Sequence, residues 1–101
     1  MNILEAQVFS YTTDVDIDTD RYFAIVDGFG PEPFEGQIVH LCVRRPDGGL
    51  RYIDVWETEE HWAAAFRDRI HPAVDAAFAG TRPPEPHSEP LDVIDVRFGP
   101  A

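Results

Sequence analysis

The sequence predicts a single α+β domain built on one antiparallel sheet. Three observations carry that reading. Runs in which apolar residues alternate with others occur near both ends and in the middle of the chain, which is the period of a strand. Two other stretches repeat apolar residues at spacings of three and four, the period of a helix packed along one side. Between the two middle strand-like runs stands Pro46-Asp47-Gly48-Gly49. Asp-Gly readily takes the positive φ angles of a tight hairpin turn, so the strands it joins are expected to be antiparallel neighbours.

Taken in order, residues 3–11 form the first predicted strand. Leu4, Ala6, Val8 and Ser10 fall on one side; Ile3, Glu5, Gln7, Phe9 and Tyr11 fall on the other. Residues 12–20 read as an acidic loop, in which Asp18 or Thr19 can cap a helix by accepting an orphan backbone N–H. A short helix follows, with Tyr22, Ile25, Val26 and Phe29 as its inner face and Gly28 and Gly30 at its end. Residues 37–45 are the second strand and 50–57 the third. Thr58 caps a long helix over 59–79, with Glu59 and Glu60 in the first turn, where carboxylates suit the helix dipole. Its inner stripe is Trp62, Phe66, Ile70, Ala73, Val74, Ala77 and Phe78. Pro72 lies inside it and should kink or interrupt it, and Gly80 ends it. Residues 81–90 are a Pro-rich connector, and residues 91–98 the last strand. One domain over 1–101 with the order β-α-β-β-α-β is the ferredoxin-like arrangement, a four-stranded antiparallel sheet with two helices on one face.

Strand alternation divides the sheet residues into two sets. The apolar set is Leu4, Ala6, Val8, Val39, Leu41, Val43, Ile53, Val55, Ile94 and Val96, and it is assigned to the helix side. The mixed set includes Phe9, Tyr11, Ile38, His40, Cys42, Tyr52, Asp54, Trp56 and Arg97. It is too apolar for water and too polar for an ordinary core, so a second subunit is expected to cover it.

Composition narrows the functions. The net charge is −11, from 19 acidic against 8 basic residues. Such a surface repels phosphate backbones and anionic membranes, so neither nucleic acid nor membrane is an expected partner. Cys42 is the sole cysteine, which excludes an internal disulfide and a multi-cysteine metal site. The N-terminal MNILEAQVFSY has no basic region or small-residue cleavage site, and no apolar run approaches the ~20 residues of a membrane span. A soluble, cytoplasmic protein is expected. The acidic loop Asp14, Asp16, Asp18, Asp20 imitates a calcium loop but has Thr19 and Ile25 where that loop needs Gly and Glu. His40, His61, His71 and His87 show no recognisable ligand spacing. No metal and no cofactor are expected.

The segment VWETEEHWAAAFRD, residues 55–68, resembles the strand-to-helix junction of dimeric α+β barrel proteins, and within them the antibiotic biosynthesis monooxygenase-like group. The resemblance implies that two sheets pair into a barrel as a homodimer. It also implies cofactor-independent oxygenation of an aromatic or polyketide-like compound, or the isomerase or cyclase chemistry of other members. Haem-degrading members place a tryptophan three residues after the helix aromatic, where this chain has Ala65, which departs from their pattern.

The candidate bases are His61, His71 and His40. Glu57 and His61 are four apart, so a helical turn would let the carboxylate orient the imidazole. The same pair also serves helix electrostatics without chemistry. His40 shares a strand face with Asp54 and fits either a general base or a polar contact in the dimer interface. An apolar pocket between sheet and helices, lined by Phe23, Phe34, Trp62, Phe66 and Phe78, would take a small apolar or aromatic molecule. The competing reading is a non-catalytic dimer that binds a small ligand or a protein, with these aromatics as plain core.

Overall fold

The computed structural model describes residues 2–4, 8–81 and 83–100, the first three as backbone. Strand β1 is Asn2–Leu4 and β2 is Phe9–Val15; helix α1 is Thr19–Asp27; β3 is Gln37–Arg44 and β4 Leu50–Trp56. Helix α2, Glu59–Ala65, passes through a π-helical turn, Phe66–Ile70, into α3, His71–Ala77. Short strands β5, Ser88–Pro90, and β6, Asp95–Arg97, follow. Strands β3-β4-β2-β5 form a four-stranded antiparallel sheet. With two helical arms, it is a small α+β architecture compatible with a ferredoxin-like fold.

Local signals place the middle elements. Asp18 accepts the Arg21 N–H at 2.8 Å and starts α1; Thr58 accepts the His61 N–H at 3.1 Å and starts α2. The hairpin closes as the Arg45 N–H donates to the Gly49 carbonyl and the Gly48 N–H donates back to Arg45. Gly48 takes φ +100°, a value an L side chain rarely adopts. The end of α3 is a Schellman motif: the Gly80 N–H bonds to the Asp75 carbonyl and the Ala79 N–H to Ala76. Ala79 therefore occupies the left-handed position, with φ +54°.

Pro72 is accommodated without a break. The His71 N–H bonds back to Phe66, five residues away. The wider turn makes room at the place where the proline lacks a donor and its ring would press on the preceding turn. It also rephases the helix. Residues four apart over-rotate by about 40° per step in a regular α-helix, yet Trp62, Phe66, Ile70, Val74 and Phe78 all face one cavity.

Three expectations need correction. The first sheet strand is Phe9–Val15, so Thr12 to Val15, read as loop, are strand; Asn2–Leu4 pairs separately with Asp95–Arg97. The fourth sheet strand comes from the Pro-rich connector: Thr13 pairs with Ser88 and Tyr11 with Pro90, while Ile94 of the expected last strand is 80 % exposed. The sheet faces are also the reverse of the assignment. Phe9, Tyr11, His40, Tyr52, Asp54 and Trp56 face the helices, and Val39, Leu41 and Val43 are exposed. Of the apolar set, Ala6 lies outside the described residues, as does the Leu4 side chain. Glu5 and Gln7 of the other set do so as well.

The packed core is correspondingly small and aromatic. Trp56 is fully buried, with Tyr11 and Ala65 beside it and Phe9, Phe34, Trp62 and Ile70 around them. Arg69 ties the connection after α1 to the long helical arm. Its guanidinium donates to the carbonyls of Phe29, Glu32 and Pro33 and lies 4.1 Å over the Phe34 ring.

Candidate functional site

Between the aromatic sheet face and the helices lies a cavity of about 1070 Å³. Its floor follows from strand register. His40 pairs across β3–β4 with Asp54, and Asp54 pairs across β4–β2 with Tyr11. The next row runs Cys42, Tyr52, Thr13, Ser88. Strand alternation puts both rows on one face, with side chains spaced to touch. The Thr13 and Ser88 hydroxyls are 2.6 Å apart, joining β2 to the connector strand.

The most ordered polar group in the cavity is Tyr22–His40–Asp54. His40 Nδ1 is 2.5 Å from Asp54 Oδ1, and His40 Nε2 is 2.8 Å from the Tyr22 hydroxyl. Asp54 is buried. A carboxylate only accepts, so Nδ1 carries the hydrogen; in the neutral ring Nε2 is then bare and accepts from Tyr22. The Tyr22 and His40 rings lie nearly parallel with their centres 6.2 Å apart, joined end to end by that bond, and Tyr52 lies against both. Burial pushes the Tyr22 phenol up to about 12, helped by Cys42 and Asp54. Burial also raises Tyr52 and Tyr11 far above the ordinary tyrosine value, with the Asp54 charge adding to each. All three phenols stay neutral at neutral pH. The Trp56 indole N–H donates to the Tyr11 hydroxyl at 3.3 Å. The Cys42 thiol, half-buried and outside the cavity lining, is also raised by burial, which does not suit a nucleophile.

His71 stands on the helical wall. Its Nε2 is 3.0 Å from Glu85 of the Pro-rich segment, and its ring meets the edge of Phe66. Pro83, Pro84 and Pro86 flank Glu85 and line the same cavity, so the connector serves as a wall. No arginine lines the cavity among the described residues, whereas Asp14, Asp16, Asp54 and Glu85 do. Such a lining disfavours an anionic ligand.

The candidate residues divide on this geometry. His40, His71, Phe34, Trp62, Phe66 and Phe78 line the cavity. His61 does not: its Nδ1 sits 2.7 Å from the Thr58 hydroxyl, and its ring packs on Gly36. Glu57 is exposed, its N–H donating to the Gly36 carbonyl. Phe23 is 58 % exposed and meets Tyr22 edge-on outside the cavity. Trp62, expected as buried core, is half-buried against the cavity. Strand alternation placed His40 and Asp54 on one face of the hairpin; the register that sets them directly opposite follows from the three-residue loop 46–48 closed by the Arg45–Gly49 bond, one residue longer than the expected tight Asp-Gly turn. Tyr22 was not legible as their partner, because it comes from α1, and no local spacing links it to β3.

Among the described residues, no group of three or more His, Cys, Asp or Glu side chains is placed to hold a metal ion, and no helix is long and apolar enough to cross a membrane. Comparison with known proteins finds no family model that matches the chain and no curated protein that matches it.

Proposed function

We propose that this protein is a small-molecule enzyme, a cofactor-independent monooxygenase acting on a neutral aromatic or polyketide-like compound, with His40 as the base. The observation that carries the reading is the His40–Asp54 pair at the floor of a large cavity walled by aromatic rings. Aromatic walls bind a flat apolar molecule, and a few convergent polar groups orient it. A buried carboxylate holds the imidazole in one tautomer and stabilises the imidazolium formed when it takes a proton. Among the described residues the lining holds carboxylates and no arginine, which favours a neutral phenol over a carboxylate or phosphate.

In the proposed reaction His40 accepts the phenol proton. The phenolate passes electrons to dioxygen, and a ring C–H para to the hydroxyl becomes a carbonyl. The second oxygen atom leaves as water, so that phenol and dioxygen give quinone and water. The same base without dioxygen would serve an isomerase or cyclase. His71 with Glu85 favours that second reading, because an isomerase needs a group that returns a proton as well as one that removes it.

The mixed face expected to meet a second subunit is covered by the chain's own helices, so the proposed assembly is a homodimer through the opposite, outward sheet face. Val39, Leu41 and Val43 follow one another along the edge strand β3 and are 37–47 % exposed, a continuous apolar stripe of the kind that a second sheet covers.

The test is oxygen uptake with a panel of polycyclic phenols and no added cofactor. His40→Ala is expected to lower turnover by about 10²–10⁴-fold, the range for a positioned acid–base group, and also to lower the melting temperature, because the buried Asp54 loses its partner, so turnover is compared at a temperature where circular dichroism shows the variant folded. Uptake unaffected by His40→Ala would remove the base. Binding without turnover would favour the non-catalytic ligand-binding reading, and product formation without oxygen uptake the isomerase.

A further inference from the structure

The base assigned to His40 is already occupied. Its Nε2, the one nitrogen free to take a proton, lies 2.8 Å from the Tyr22 hydroxyl. A substrate hydroxyl cannot occupy the same position. Tyr22 must therefore either swing away or stand in the path of the proton. Ring contacts hold it in place beside that bond: it tilts against Tyr52 and meets Phe23 edge-on. It also lines the cavity.

We infer that Tyr22 is a catalytic proton relay, accepting the substrate's hydroxyl proton on its phenol oxygen while its own hydrogen passes to His40 Nε2. The inference rests on His40 being the base. One O–H bond breaks in the substrate and one forms on Tyr22; the original Tyr22 O–H breaks and an N–H forms on His40. The products are a substrate anion and an imidazolium beside the Asp54 carboxylate, and Tyr22 ends neutral as it began. A phenol oxygen keeps lone pairs available while its hydrogen is donated, which is what a relay needs. The raised Tyr22 phenol agrees with this role, because a group that stays protonated passes a proton along rather than holding negative charge. The relay also limits the substrate class. The reacting hydroxyl must reach Tyr22 from the cavity, which selects aromatic compounds with that hydroxyl at an accessible ring edge.

The probe is 2-naphthol, a neutral bicyclic phenol whose hydroxyl becomes strongly acidic on excitation and whose anion emits to the red of the neutral form. Bound to the wild-type protein, it is expected to show anion emission. Tyr22→Phe is expected to suppress that emission by about 100-fold, the scale of one positioned proton-transfer group, while quenching of tryptophan fluorescence shows that binding is kept. His40→Ala should suppress it as well. Anion emission kept in Tyr22→Phe but lost in His40→Ala would overturn the relay and leave the base standing. No anion emission from naphthol bound to the wild type would overturn the base and the relay together. A measurement on the unaltered protein stands beside these: in the neutral form of the ring the side-chain ¹⁵N spectrum should show the hydrogen on His40 Nδ1 and none on Nε2, and the opposite tautomer would overturn the relay directly.

Discussion

The two tryptophans of the strand-to-helix junction differ in what lies behind them. Trp56 is fully buried at the end of β4, bonded to Tyr11 and packed by Phe34. Trp62, six residues later, has protein on one side, including Phe9 and Phe66, and the cavity on the other. Both rings touch the cavity, but removing a ring with no exposed surface forfeits more contacts than removing one that is already partly exposed. Trp56→Ala should cost about 3–5 kcal/mol, the usual range for a buried large aromatic, and Trp62→Ala about 1–2 kcal/mol. Urea unfolding of the two variants checks this. Equal costs would mean that the cavity is closed around Trp62.

The junction between β3 and α2 shows how an element is fixed by one close approach. Gly36 takes φ +81°, its carbonyl accepts the Glu57 N–H, and a Cβ added there would overlap the His61 ring. His61 thus holds the start of α2 against the start of β3, through packing and through Thr58. Gly36→Ala should cost about 1–2 kcal/mol for the left-handed backbone alone, and more with the overlap. In a His61→Ala background the overlap disappears and the backbone part remains, so the two substitutions should couple favourably in a double-mutant cycle. Additive effects in thermal unfolding would show that His61 does not set this approach.

The whole molecule has a radius of gyration of 14.1 Å, against ~13 Å for a compact chain of about 100 residues. The excess fits a domain with an open centre and a small β1–β6 sheet outside the main one. Such a domain has little buried apolar area of its own, and its exposed β3 stripe is the natural place to gain more. Leu41→Glu, placing a charge in that stripe, is expected to convert a dimer into a monomer by light scattering and to lower the melting temperature. A monomeric wild type at micromolar concentration would overturn the proposed assembly.

The chain by itself determined the middle of the fold. Asp18 and Thr58 start their helices, Pro46-Asp47-Gly48-Gly49 turns the hairpin, and strand alternation puts His40 and Asp54 on one face. All of these depend on residues close in sequence or paired through one short turn. Only the tertiary structure decided which face of the sheet looks inward. Alternation sorts residues into two sets but is symmetric between them, and the helices break that symmetry. The mixed set can face inward because its polar groups bond to one another, His40 to Asp54 and Tyr22, and Trp56 to Tyr11, so that little polar desolvation is left uncompensated. The fourth strand was hidden for a related reason. Ser88 to Pro90 has no strand pattern of its own and is held by the partner β2 offers, about 75 residues earlier in the chain, where pairing replaces propensity as the cause.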